Sequence, residues 1–185
     1  MRPAIVVVDM LEDTCGRAAA LPITPHARGL LPVLGWLLAE ARSSRLPVIF
    51  ACDSFLEQDF IFRGRMKPHS IRGTAGAAVV ADLAPEAGDV VLQKRRFSAF
   101  FKTDLDQTLR TLGCDAIAVT GIATNVCVLA TVLDGLSHDF EVVWLRDCCA
   151  AHRPEVHEAT LALYAHFPLE PLLRITTARE LVDSL

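Results

Sequence analysis

The sequence lacks the features of a membrane, secreted or nucleic-acid-binding protein. No apolar run approaches the roughly 18 uninterrupted residues of a membrane-spanning helix. The N-terminus has no signal-peptide pattern, because Asp9 and Glu12 follow its first apolar run too early. Lysine and arginine number 18 against 22 aspartates and glutamates, so the basic excess that phosphate-backbone binding needs is missing. We therefore expect a cytoplasmic protein that binds neither a membrane nor nucleic acid.

Two kinds of ligand motif are also missing. The six cysteines contain no CxxC pair, and Cys148 and Cys149 are vicinal, so a cysteine-rich zinc site has no support. We expect reduced thiols rather than a disulfide framework. No GxGxxG or Walker loop occurs, which removes the main support for nucleotide binding.

What is present is an apolar chain of 185 residues, 52% of them hydrophobic, and this length predicts one domain. Six short β-branched runs have nearly continuous rather than alternating hydrophobicity, which indicates parallel strands covered on both faces. The pattern predicts a three-layer α/β/α sandwich with a six-stranded, mostly parallel sheet, in one domain over residues 1–185. The runs are Ala4–Val8, Pro47–Cys52, Asp89–Leu92, Ala116–Thr120, Glu141–Leu145 and Leu172–Thr176.

Helix signals occupy the intervals between these runs. Thr24 and Pro25 predict a helix start, and Pro32 predicts a kink or a delayed start before Ser43. We further expect a capping box at Thr103 and Asp106 with Gly113 ending the helix, helices over about 125–138 and 154–167, and a capped helix starting at Thr177 with Glu180.

Residues 53–87 show neither the helical nor the strand pattern of apolar residues. Long irregular segments inside compact domains are usually functional. This segment carries four cations without an acid between Ile61 and Ala81. They predict either a cationic mouth that favours a carboxylate-bearing substrate, or a solvated surface or subunit contact. The four are Arg63, Arg65, Lys67 and Arg72.

Polar side chains end four of the predicted strands, where open parallel sheets bind their ligands. Asp9, Asp53 and Lys94 end the first three strands, and the turn after the fourth leads to Cys127. A helix N-terminus and a nearby Lys94 would lower the pKa of the Cys127 thiol and make it a nucleophile. The alternative is a small buried side chain packed in the first helical turn.

Three stretches in order, AIVVVDMLED, VVLQKRRFSAFFKTDLDQTLRTLG and IAVTGIATNVCVLATVLDG, resemble the isochorismatase-like cysteine hydrolases, the superfamily that contains nicotinamidases. PHSIRGTAGA and DCCAAHRPEVHEATL extend the resemblance over nearly the whole chain. It implies a catalytic triad of Asp9, Lys94 and Cys127, and a cis peptide at Ile122 and Ala123 beside the oxyanion-binding N–H groups of Ala123 and Cys127.

The resemblance also implies a reaction. Cys127 would attack an amide or carbamoyl carbon, Asp9 would move the proton, and a thioester would be hydrolysed. Two alternatives stay open: isochorismatase-type hydrolysis of a vinyl ether, and a non-catalytic binding protein on the same fold. We expect a small-molecule substrate, and the family's habit predicts a homo-oligomer.

The sequence departs from the nicotinamidase pattern at the metal and ring-binding positions. Nicotinamidases hold a divalent metal through an Asp-x-His pair and further histidines, whereas this chain has Asp53 and Phe55 at the pair and retains His69. We expect no required cofactor, with a divalent metal at Asp53 and His69 as the alternative to a strand-end cap and a backbone-bonded loop histidine.

Thr14 replaces an aromatic residue of that family. His69 and Phe97 are predicted to bind substrate, and Phe100 and Phe101 either join Phe97 or lie in the core.

Overall fold

The computed structural model describes residues 1–166 and 168–185. Its six strands form one all-parallel sheet in the order β3-β2-β1-β4-β5-β6. The predicted α/β class with six strands is confirmed. The strands are β1 Pro3–Val8, β2 Val48–Asp53, β3 Val90–Lys94, β4 Ala116–Ile122, β5 Glu141–Ala150 and β6 Leu173–Thr176.

Helices cover both faces of the sheet and lie in every connection between strands except the one from β2 to β3, which is the irregular segment. They are α1 Glu12–Cys15, α2 Thr24–Gly29, α3 Leu31–Ser43, α4 Leu105–Thr111, α5 Leu129–Ser137, α6 Pro154–Tyr164 and α7 Ala178–Asp183. None of the helices among the described residues is both long and apolar enough to cross a membrane.

The alternation of side chains along β1 builds a separate core on each side of the sheet. Ile5 and Val7 face the cluster that includes Leu34 of α3. Val6 and the other alternate side chains of β1 face a second cluster that includes Leu109 of α4. Because both faces are covered, every residue of β1 is buried, as the continuous apolar run predicts. Strand β3 at the sheet edge is covered less completely, and its Val91 is 52% exposed.

Several helix boundaries follow the predicted signals. Helix α2 ends at Gly29 and α3 restarts at Leu31 with Pro32 in its first turn, which confirms the interruption at Pro32. The capping box of Thr177 and Glu180 starts α7.

The capping box predicted for Thr103 and Asp106 is wrong. Helix α4 starts at Leu105, and the Asp106 carboxylate accepts a hydrogen bond from Arg110 instead of reaching back to the helix start. The N-cap is Asp104, one residue later than predicted, so Asp106 lies at the second helical position rather than at the third, where a capping box needs its acidic residue. At the other end Gly113 has a φ of 69°, as predicted, and the N–H of Cys114 donates to the Leu109 carbonyl in a Schellman ending.

Other boundaries differ from the predicted ones. Strands β2 and β3 include the polar residues that end them, so Asp53 and Lys94 are paired across the sheet. Helix α6 ends at Tyr164, and the predicted end at Phe167 lies outside the described residues. The irregular segment contains three short 3₁₀ turns at Phe60–Arg63, Ala75–Ala77 and Ala81–Leu83.

Gly121 lets β4 pass close to β1 near the carboxyl end of the two strands. Its φ is +99°, and a Cβ at this position would lie 2.1 Å from the Val8 carbonyl oxygen. Gly121→Ala should therefore lower the free energy of unfolding by at least about 3 kcal/mol in urea denaturation. Gly35→Ala is the matched control, since a Cβ there meets nothing within 4 Å in helix α3. It should raise stability by about 0.5–1 kcal/mol, and equal effects of the two variants would contradict this account.

Candidate active site

A buried ammonium joins two carboxylates at the carboxyl edge of the sheet. Lys94 Nζ lies 2.8 Å from Asp9 Oδ2 and 2.5 Å from Asp53 Oδ1. The backbone N–H of Asp53 donates to Asp9 Oδ1 at 2.8 Å. Lys94 is 1% exposed, so its ammonium has lost its water of hydration. The bonds to the two carboxylates compensate for that loss.

Thr14 holds the turn that presents Asp9. Asp9 has a φ of 55°, a left-handed conformation that is uncommon outside glycine. The Thr14 hydroxyl lies 2.8 Å from the Asp9 carbonyl and accepts the N–H of Leu11 at 2.9 Å. The sequence marked Thr14 only as the position of a missing aromatic residue. Its distance of five residues from Asp9, at a turn into a short helix, is the signal that points to this role.

Cys127 lies in a single π-helical turn, Thr124–Val128, that leads into α5. The Ile122–Ala123 peptide bond just before this turn is cis. The Sγ of Cys127 and carboxylate oxygens of Asp9 and Asp53 all lie within 4.8 Å of one another. The structure thus brings the four predicted strand-end residues into one cluster.

Burial raises the pKa of the Cys127 thiol well above its ordinary value of 9.0, and the charges of Asp9 and Asp53 add to this effect. Lys94 opposes it but is already bonded to both carboxylates. Lys94 lowers this pKa, as predicted, but the predicted net lowering is wrong because burial raises the pKa by more. Desolvation in the closed cluster outweighs the ammonium, and the thiol is the resting form.

Two of the charged side chains of the cluster, Asp53 and Lys94, respond to the same burial. Desolvation, followed by the charge of Asp9, raises the pKa of Asp53 from 3.8 to about 7, although Lys94 opposes the rise. For Lys94, burial alone would lower the pKa, but Asp9, Cys127 and Asp53 together raise it above its ordinary value. Lys94 is therefore a fixed cation of the site.

A pocket of about 200 Å³ opens above the cluster. Asp9, Asp53 and Cys127 form its floor, and Ile122 and Ala123 flank the thiol. Thr14, His69 and Phe97 lie along its walls.

The aromatic residues after Lys94 divide between pocket, core and surface. Phe97 lines the pocket, Phe100 is buried against His138 and Phe140, and Phe101 faces a different cleft. His69 also lines the pocket, with its Nδ1 2.9 Å from the Lys67 carbonyl. The backbone contact expected of a loop histidine is thus present at a residue that also reaches the pocket.

The four cations of the irregular segment do not form a cationic mouth. None of them lines the pocket over Cys127. Arg72 bonds to the Ser54 hydroxyl and faces a separate cleft with Arg95 and Arg96, while Arg63 stacks over the ring of Phe60. The segment folds so that its apolar side chains cover the pocket and its charges reach water.

The residues around Asp53 do not fit the metal site that the resemblance implies. Phe55 has no donor atom, and its ring packs against His69. The Asp53 carboxylate is bonded to Lys94, whose ammonium already supplies the positive charge beside it. His69 does not belong to the group of possible ligand atoms that Asp53 forms with Asp9 and Cys127, so the histidine ligands of the implied site are missing from that group.

Two buried contacts that the sequence did not indicate support the π-helical turn. The Thr131 hydroxyl donates to the Cys127 carbonyl at 2.7 Å and accepts the N–H of Ala99 at 3.0 Å, which ties the turn to the segment after Lys94. The Thr124 hydroxyl lies 2.8 Å from His157 Nδ1 on α6. Thr131 and Thr124 are fully buried, and threonines inside apolar helices give no sequence signal for such bonds.

The parallel sheet is covered on both faces, which makes the chain a three-layer α/β protein. A buried reactive cluster of one thiol, two carboxylates and an ammonium lies at the carboxyl edge of this sheet. The model of the Isochorismatase domain matches residues 3–177. The chain belongs to this family.

Three proteins that are named for an amidohydrolase or amidase activity are similar to the chain. Ureidoacrylate amidohydrolase RutB of Pantoea ananatis is 32% identical over 176 residues, which cover 82% of this chain and 70% of that protein. Maleamate amidohydrolase of Pseudomonas putida is 30% identical over 166 residues, covering 86% of this chain and 78% of that protein. The crystal structure of N-carbamoylsarcosine amidase from Thermoplasma acidophilum has a TM-score of 0.82 at 30% identity, and the match covers 96% of this chain and 97% of that one.

The raised pKa of Cys127 predicts how the free protein reacts with iodoacetamide. Because alkylation requires the thiolate, its rate at Cys127 should keep rising with pH through the ordinary thiol value of 9.0. Peptide mass spectrometry after timed alkylation measures this rate at each pH, with the urea-unfolded protein as the reference for an ordinary thiol. A plateau already reached at neutral pH would show a stabilised thiolate and contradict the account.

Proposed function

We propose that this protein is a cysteine hydrolase that cleaves the C–N bond of an amide or carbamoyl group in a small molecule. The observation that carries the proposal is the contact of the Cys127 thiol with Asp9, whose carboxylate is bonded to buried Lys94. The amidohydrolase and amidase activities of the similar proteins support it.

Acylation begins at the protonated thiol. Sγ of Cys127 bonds to the carbonyl carbon while Asp9 accepts the thiol proton, so no free thiolate has to accumulate. The raised pKa of Cys127 supports this concerted order over attack by a resting thiolate. Asp9 then passes the proton to the nitrogen as the C–N bond breaks, and an amine or ammonia leaves.

The tetrahedral intermediate carries its charge on the former carbonyl oxygen. We assign the backbone N–H groups of Ala123 and Cys127 as its donors, and the position of both residues in the lining of the pocket supports this.

Deacylation uses the same carboxylate. Asp9 takes a proton from water as the oxygen attacks the thioester carbon, and the proton returns to sulfur when the C–S bond breaks. The products are a carboxylic acid and the restored thiol. Lys94 donates a hydrogen bond to Asp9, and its second bond to Asp53 holds the ammonium in place between the two strand ends.

The remaining features of the proposal concern the whole protein. We infer a single catalytic domain that needs no cofactor, acts in the cytoplasm as a homo-oligomer and binds no membrane or nucleic acid. The acidic balance of the chain, with 22 acidic against 18 basic residues, supports the last point. Family habit supports the oligomer.

Cys127→Ser should abolish hydrolysis because a serine hydroxyl is a far weaker nucleophile beside the same base. Its melting temperature should stay within a few degrees of the wild type, since one atom changes at the pocket floor. Ammonia release from amides of small carboxylic acids measures the effect. Cys114→Ser, at the opposite edge of the sheet, is the matched control and should keep activity within about twofold. Turnover retained by Cys127→Ser would refute the nucleophile.

Removal of divalent metal should leave activity unchanged, because Lys94 rather than a metal ion supplies the charge beside Asp9 and Asp53. Ammonia release is compared before and after exhaustive dialysis against a chelator, with metal content measured on both samples. Activity that is lost on dialysis and restored by zinc or manganese would contradict the assignment of Asp53 to Lys94.

A further inference from the structure

The wall of the pocket over Cys127 is apolar on the sides that a substrate's non-reacting part would touch. The segments 21–23 and 55–66 contribute most of it, and Val126 closes it beside the thiol. The apolar side chains include Leu21, Ile23, Phe55, Ile61, Met66 and Phe97.

No arginine or lysine in the described part of the chain lines this pocket. Lys94 lies below it, buried and bonded to Asp9 and Asp53. His69 is the one basic side chain of the wall among the described residues, and its Nδ1 contacts the Lys67 carbonyl while its ring packs edge-on against Phe55. A substrate carboxylate would therefore meet no lysine or arginine side chain among the described residues of this wall.

The floor of the pocket adds repulsion to this lack of pairing. Asp9 and Asp53 lie within 4.8 Å of the sulfur that attacks the amide carbon. A short substrate with a carboxylate would bring a third acidic group close to these two, whose one buried cation, Lys94, is already bonded to both, in surroundings that screen charge poorly. Uncharged apolar groups lose nothing by entering the same space and gain from burial.

The size of the pocket restricts the substrate further. About 200 Å³ is smaller than the roughly 300–1,000 Å³ of pockets that hold drug-sized ligands. It suits a short branched chain or a single ring attached to the amide.

We infer that this protein acts on small, uncharged amides whose non-reacting part is apolar. The inference rests on the proposed amide hydrolysis and narrows it. It separates this chain from proteins named for ureidoacrylate, maleamate and N-carbamoylsarcosine, each of which carries a carboxylate.

Isosteric pairs of amides test this preference, because an isopropyl group and a carboxylate have nearly the same shape. The pairs are isobutyramide against oxamate, isovaleramide against malonamate, and isocaproamide against succinamate. In each pair kcat/KM for ammonia release should be at least about 100-fold higher for the uncharged amide. Equal values, or a preference for the acids, would overturn the inference and leave the proposed hydrolysis intact.

Met66→Lys supplies the missing cation at a position that is 44% exposed and therefore tolerant of charge. It should raise kcat/KM for succinamate relative to isocaproamide by at least about tenfold. Met66→Gln is the matched control, with similar length but no charge, and should leave the ratio near that of the wild type. Equal shifts in the two variants would show that pocket charge does not set the preference.

Protection of Cys127 from iodoacetamide separates failure of the inference from failure of the proposed function. Isocaproamide should slow alkylation of Cys127, and succinamate at the same concentration should not. Protection by isocaproamide without hydrolysis would keep the pocket's preference and refute the hydrolase. Protection by succinamate alone, or by neither compound and no hydrolysis of either, would refute the inference itself.

Discussion

The buried ammonium of Lys94 is the interaction on which the site depends. A cation that is 1% exposed costs free energy unless it is paired, and here carboxylates from two neighbouring strands pair with it. Parallel strands end at the same edge of the sheet, so the order β3-β2-β1-β4 places cation, carboxylate, carboxylate and thiol side by side. Removing the cation would leave Asp9 and Asp53 as two buried like charges, which links the chemistry of the edge to the stability of the sheet.

The same burial that isolates the cluster also determines how it reacts. Desolvation keeps the proton on Cys127, so the thiol needs a base within reach, and Asp9 is held there by Lys94, by the Asp53 N–H and by the turn that Thr14 fixes. Thr131 ties the nucleophile's turn to the segment after Lys94. The reacting groups therefore come from different strands but are held by a short, continuous set of hydrogen bonds.

Much of this arrangement could be predicted from the sequence, because its signals are local. Continuous apolar runs such as that of β1 predict a strand covered on both faces, and Pro32 predicts the break between α2 and α3. Three motifs in order carried the family resemblance, and that resemblance implied Asp9, Lys94 and Cys127 as a triad. The rest depends on distances between remote segments. The sign of the pKa shift of Cys127 follows from how deeply the cluster is buried, and the direction in which Arg63 and Arg72 point follows from how the irregular segment folds over the pocket.

The most direct test of the account is the mass of the protein during turnover. A hydrolysed amide is mixed with the enzyme, the reaction is quenched with acid at times short of one turnover, and intact and peptide masses are measured. The account predicts an added acyl group on the peptide that contains Cys127, which appears together with the first equivalent of ammonia and is released by hydroxylamine, as a thioester is. An acyl group on any other residue would contradict it. So would a first equivalent of ammonia formed ahead of the acid product while the protein mass stays unchanged.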